Sequence, residues 1–186
     1  MEKGQVTLLR DAAGKFLAHG YANPNSLITF RTVSRVEAES DALLATGLER
    51  RLRSAWQHRR AMHRDEFSFR LCFGEADGLP GLVVDAWRVG ETLEGACVVF
   101  AVQAHSAGAD RWVASLPQIL EGLAREFLGS AVVASVVVRN DLSVRKLEGL
   151  ALEEPRWLTG APSGLTPGTT PIWIRRADGR GGLPMR

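Results

Sequence analysis

Cysteine is scarce in this chain of 186 residues: only Cys72 and Cys97 occur. Two thiols so far apart form neither a disulfide framework nor a zinc motif. They suit a reducing cytoplasm, which is the expected location. Histidine is equally thin. His19, His58, His63 and His105 are scattered without ligand spacing, so no metal is expected. No run of 18 apolar residues and no signal peptide is visible, so no membrane partner is expected. No glycine-rich strand-to-helix loop followed by an acidic residue appears, which argues against a complete dinucleotide-type fold. Lysine is nearly absent, at three of the 23 basic residues, and the formal net charge is only +2. Bulk charge therefore does not demand a nucleic-acid partner. The arginine bias supports one weakly, since a guanidinium fork holds phosphates and stacks on bases better than an ammonium does.

What is present is most concentrated at Gly74-Glu75-Ala76-Asp77-Gly78-Leu79-Pro80-Gly81. Before it, Phe67, Phe69, Leu71 and Phe73 alternate with polar residues, a period of two that predicts a strand with one buried face. After it, Leu82-Val83-Val84-Asp85 reads as a second strand. A simple hairpin needs one glycine at positive φ; this one has Gly78, Pro80 and Gly81, with Glu75 and Asp77 to cap or bind. The plain reading is a rigid turn whose carboxylates accept backbone N–H bonds. The catalytic alternative is a carboxylate pair for hydrolysis.

Upstream, three short strands are expected at Val6–Leu9, Lys15–Tyr21 and Leu27–Val33, a meander or barrel fragment. Residues 37–64 read as one helix. Leu44, Leu48, Leu52, Ala55 and Met62 share a face; Arg50, Arg53, Gln57, Arg60 and Arg64 form a stripe nearly opposite. No acidic residue falls between Arg51 and Arg64. A solvated face normally mixes signs, so the stripe is a candidate phosphate contact; Arg51 and Arg59 point elsewhere, to pair within the protein. Downstream, strands are expected at 67–73, 82–87 and 96–103. A helix at 109–128 buries Trp112, Leu116, Leu120, Leu123 and Phe127, with Pro117 kinking it or shifting its start. A further strand at 131–138 is apolar enough to be central. After it, Arg139-Asn140-Asp141 turns the chain, and Arg145 and Glu148 read as an ion pair holding that turn. Residues 159–171 read as a linker and 172–175 as one more strand. The tail from Gly179 has little to bury.

The segment from Arg70 to Asp85 resembles the "G-E-x-D-G-L-P-G-L" signature of bacterial large-subunit (23S) rRNA 5-methylcytosine methyltransferases. Gly14-Lys15-Phe16-Leu17-Ala18-His19-Gly20-Tyr21-Ala22-Asn23-Pro24-Asn25-Ser26, then Arg31-Thr32-Val33-Ser34, and Arg139-Asn140-Asp141 with Arg145, Glu148, Gly149 and Leu150, are similar to further blocks of that family in order and spacing. The resemblance implies an α+β chain in four parts. Residues 1–36 would be a partial PUA-like β-barrel and 37–64 a connecting basic helix. Residues 65–158 would be a small mixed β-β-β-α-β domain, and 159–186 a linker opening a catalytic domain. It implies that S-adenosylmethionine and the nucleophilic cysteine belong to that further domain. No Asp-Pro-Pro block of the kind lining the target base is seen, and neither cysteine matches the family nucleophile. No cofactor is therefore expected in this chain, no catalytic residue, and no methylation by it alone. Structured rRNA is the expected partner, through Arg31, Arg50, Arg53, Gln57, Arg60 and Arg64. Gly74, Glu75, Asp77, Gly78, Pro80, Gly81, Asp85, Arg139, Asp141, Arg145 and Glu148 are expected to be structural. The alternative is a protein-interaction module that pairs with a separate catalytic subunit or with a second copy and binds no RNA itself.

Overall fold

A computed structural model describes residues 2–62, 68–89, 97–161, 172–174 and 183–185. The first three strands, β1 (Gln5–Arg10), β2 (Phe16–Ala22) and β3 (Phe30–Ser34), form an antiparallel meander in that order. It is not closed into a barrel among the described residues. The Asp11 side chain accepts from the backbone N–H groups of Ala13 and Lys15, both at 2.9 Å, and so sets the first turn. Its middle strand carries the burial, with Ala18, Tyr21 and Ala22 all under 3% exposed.

The expected helix at 37–64 is shorter, α1 spanning Ala45–Met62. Residues 37–44 are turns tied down by side chains: Ser34 Oγ donates to Glu39, and Asp41 accepts from Arg50. The buried face also differs from expectation. Leu48, Leu52, Ala55 and Trp56 are buried, whereas Leu44 and Met62 are 61% and 63% exposed. Leu44 precedes the helix and Met62 ends it, so neither reaches the core. Trp56, one position past Ala55, takes the central place instead. Its ring stacks on Phe127 at 5.3 Å and meets Phe69 and Phe100 edge-on at 5.8 Å. Truncating a buried ring of that kind costs roughly 3–5 kcal/mol.

The second sheet has five strands in sequence order: β4 (Phe69–Phe73), β5 (Leu82–Val89), β6 (Cys97–Ala104), β7 (Val133–Val138) and the two-residue β8 (Arg156–Trp157). Only β6 and β7 run parallel, and the helix between them makes that connection. The single helix expected at 109–128 is divided. A short α2 (Ala107–Asp110) and a 3-10 turn precede α3 (Leu116–Leu128). Pro117 sits in the first turn of α3, where its missing N–H removes no helical bond. Helices α1 and α3 cover the same sheet face, against Leu82, Val84, Val98, Phe100, Val102 and Val136.

The alternation expected across 67–73 fails at one point. The β4–β5 register shifts between Arg70 and Cys72, so Leu71 and Cys72 are both buried. This bulge turns Phe73, expected in the buried rank, to the opposite face, where it is 56% exposed. Near the end of the chain, β9 (Ile172–Ile174) pairs antiparallel with β10 (Leu183–Met185). Part of the expected loose tail is thus a strand; the side chain of Trp173 lies outside the described residues. No described helix is long and apolar enough to cross a membrane.

Candidate functional site

The glycine-rich turn is rigid by construction. Gly74–Asp77 form one 3-10 turn, closed by Gly78 at φ +69 through bonds from Gly78 N to Glu75 O and Leu79 N to Gly74 O. Asp77 does what a capping carboxylate does, accepting from Phe73 N at 2.7 Å. Its two oxygens are also gripped by both terminal nitrogens of Arg59, each at 2.7 Å. Gly81 has φ +73, and a Cβ there would lie 2.3 Å from Ser106 Oγ. The Pro80 carbonyl accepts from the Tyr21 hydroxyl and from Ser106. Glu75 reaches Arg31 at 3.1 Å, and Asp85 takes Arg70 at 2.7 and 3.1 Å. Glu75 and Asp77 are thus committed to different arginines and converge on no common point, which argues against acid–base use as a pair.

Beneath the turn lies a buried node that the sequence marked but paired wrongly. Arg139 and Asp141 do bond each other, at 3.1 and 3.2 Å. Arg145 and Glu148, expected to pair, do not. Both are buried, at 1% and 3% exposure, in a 3-10 turn (Ser143–Glu148) closed by Gly149. Arg145 donates to the carbonyls of Ala104 and Ala151 and to Asp110 at 2.9 Å. Glu148 faces the meander instead. It accepts from Arg31 at 2.8 Å, Asn23 at 3.0 Å and Ser26 Oγ at 2.5 Å. Burial pushes its carboxyl up, but the bonds from Arg31, Ser26 and Asn23 outweigh that and hold it below the usual carboxylate range. Beside it, the Tyr21 hydroxyl lies 2.7 Å from Ser106 Oγ, and burial raises that phenol well above its ordinary value.

The arginine stripe of α1 is not one-signed in space. Arg50 meets Asp41 at 2.9 Å and Glu39 at 3.5 Å. Arg53 meets Glu49 at 2.7 Å and also Glu126 of α3. The acids come from elsewhere in the chain or from one helical turn back, so a local scan of the stripe misses them. Gln57 is exposed, Arg60 is half-buried, and Arg64 lies outside the described residues. Arg51 pairs with Glu39 and Arg59 with Asp77, as expected of residues that point elsewhere.

Burial works against thiolate formation at both cysteines. Burial pushes Cys72 up to about 12, and desolvation also raises Cys97. The thiolate is the nucleophilic form, and a raised pKa reduces its share. No group of three or more potential metal ligands occurs among the described residues. A cleft of about 240 Å³ opens between β1, the start of α1 and α2, lined by Val6, Tyr21, Leu43, Leu44, Arg111 and Trp112 among others.

A family model for a PUA-like domain matches residues 1–35. Ribosomal RNA large subunit methyltransferase I of Klebsiella pneumoniae is 34% identical over 168 residues, spanning 88% of this chain and 37% of that protein. The protein of the same name from Erwinia tasmaniensis is 35% identical, spanning 89% and 38%. The chain therefore covers less than two-fifths of the curated relatives it matches. Among solved structures, a protein from Streptococcus mutans provisionally described as a SAM-dependent methyltransferase superposes with TM-score 0.59 at 14% identity, over 93% of this chain and 38% of its own. A provisional methyltransferase complexed with SAH gives TM-score 0.57 at 15% identity, over 88% and 36%. At such identities these two speak for the fold alone.

Proposed function

We propose that this chain, homologous to the large-subunit ribosomal RNA methyltransferases, is an RNA-recognition unit for methylation of a cytosine ring carbon in rRNA. The observation that carries this reading is the node at Glu148. It fastens the meander, where the PUA-like match falls, to the central sheet through Arg31, Asn23 and Ser26. A surface that reads a folded RNA must hold its contacts in fixed register, and the node supplies that. Arg31 is assigned to this joint, since its guanidinium is committed to Glu148 and Glu75. Phosphate contact is assigned to the outer side of α1, through Arg50, Arg53, Gln57 and Arg60; Arg64 lies outside the described residues. Carboxylates hold Arg50 and Arg53 in place while leaving their side chains 47% and 34% exposed.

In this reading S-adenosylmethionine is held outside the described residues, and one feature supports that. The one passage from a long strand to a helix, between β6 and α2, turns its capping Ser106 inward to Tyr21 and Pro80 rather than toward a ligand. With both thiols pushed up by burial, the chemistry is assigned outside these residues, and methyl transfer by the 186-residue chain alone is not expected.

The test is binding of the purified chain to a large-subunit rRNA fragment across a salt series. Affinity should fall by roughly 0.7–0.9 log units per phosphate contact per decade of salt. Changing Arg50, Arg53 and Arg60 to Ala should flatten that slope. Methylation by the chain with S-adenosylmethionine and no other subunit would overturn the reading. One observation favours a second reading, docking of a separate catalytic subunit: Val6, Leu8 and Leu17 of the meander are 41–49% exposed. Absence of RNA binding at low salt would put it first.

A further inference from the structure

The bulge in β4 builds a surface that the sequence does not announce. By register, Phe73 lies opposite Val83 and Val83 opposite Gln103. Arg139 continues the parallel ladder past Val138, donating its N–H to the carbonyl of Val102, and so stands next in the same rank. Arg70 and Asp85 pair in the neighbouring rank on the same face. All six lie on the sheet face away from α1 and α3.

The arrangement is an aromatic shelf with fixed cations. Phe73 is 56% exposed, and the guanidinium of Arg70 lies 5.3 Å from its ring centroid. Asp85 holds that guanidinium with both oxygens, yet the carboxylate is 8% exposed and the Arg70 side chain 48%. The pair therefore presents its cation to solvent and hides its anion. Val83 is buried next to Phe73 in the rank and fills the sheet surface beside the ring. Gln103 accepts at Oε1 from the His105 ring across 3.0 Å, which leaves its amide N–H groups to donate. A planar hydrocarbon ring and an amide donor in one rank, with a planar guanidinium in the next, match an unstacked nucleobase: faces to stack on, and a donor for an edge. A duplex presents neither face.

We infer that this end of the sheet, centred on Phe73 and Arg70, holds an unpaired base of the RNA, separately from the phosphate contacts on α1. The inference rests on the RNA-recognition reading above and adds the chemistry of one contact. It is tested with single-stranded RNA carrying 2-aminopurine and with the folded rRNA fragment, on the wild-type chain and on Phe73→Ala, Phe73→Leu and Phe73→Trp. Phe73 points away from the core, so thermal melts should coincide. Binding by the wild type should quench the probe. Phe73→Ala and Phe73→Leu should both weaken single-strand binding roughly tenfold with an unchanged salt slope, as loss of one stacked base does. Phe73→Trp should retain it. Equal binding by wild type and Phe73→Ala would overturn the shelf while leaving the recognition reading intact. Binding of the folded fragment but not the single strand would do the same. No binding of either RNA at low salt would remove both.

Discussion

Glu148 holds two sheets together through one carboxylate, and its ionisation should be visible in the stability of the whole chain. Its folded pKa is depressed. A group of that kind contributes stability that is present above its unfolded pKa, about 4.3, and is lost as pH falls through the folded value. Glu148→Gln keeps the shape and removes the charge. At neutral pH it should cost about 3 kcal/mol, the low end for breaking a buried pair because Arg31 keeps Glu75. Urea midpoints of wild type and variant should differ at neutral pH and converge in acid, once the pH has fallen through the depressed folded pKa; a gap that persists there would mean that the charge is not the source of the loss. The sequence showed that Arg145 and Glu148 matter but paired them with each other, because their three-residue spacing invites a local bond. Their true partners are 35 residues away, at Asp110, and 117 away, at Arg31. Burial reverses a local preference when distant groups can satisfy each charge more completely.

Elements were legible where one periodicity ran undisturbed. The meander, β5, β6, β7 and the second half of the expected 109–128 helix, now α3, lie close to their expected places, since alternation and 3.6-residue spacing report which face is buried. Errors came where one residue broke the count: the bulge between Arg70 and Cys72, and Trp56 displacing Met62 from the core. Neither signal is local, because each depends on what the opposite element offers. The glycine turn was legible as over-specified, and its glycines are not equivalent. Gly78→Ala meets only the Arg51 side chain, at 3.3 Å, and should cost about 1 kcal/mol for its left-handed backbone. Gly81→Ala also drives a methyl to within 2.6 Å of both side-chain atoms of buried Ser106. Its cost should be about 3 kcal/mol or more. Gly78→Asn should fall nearest wild type, since asparagine tolerates that conformation. Chemical denaturation of the three variants checks the order; equal losses at 78 and 81 would mean the Ser106 contact yields freely.

At the scale of the molecule, the question is whether the meander is an appendage or part of one folding unit. A small sheet is stable by itself only if it buries a hydrophobic face, and β1 buries little of its own surface. The joint is continuous nonetheless. The Tyr21 ring lies against the backbone of Gly108 and meets Trp112 edge-on at 6.1 Å. The Trp112 indole donates to Leu43 O, and Lys3 reaches Gly149 O. Exposed ion pairs such as Arg125 with Glu121 add little, at roughly 0–1 kcal/mol each, so cohesion must come from this buried seam. Amides of β2 and of β6 should then exchange with solvent through the same global opening. Their protection should fall in parallel as denaturant is added. Tyr21→Phe removes the hydroxyl from Pro80 and Ser106; Ser106 keeps the Pro80 carbonyl and the Ala109 N–H, so the cost is that of the lost hydrogen bonds, about 1 kcal/mol each. If the seam is the source of cohesion, that loss lowers protection equally in both strands. A variant in which β2 alone loses protection, while β6 keeps the wild-type value, would make the meander a separate unit resting on the sheet.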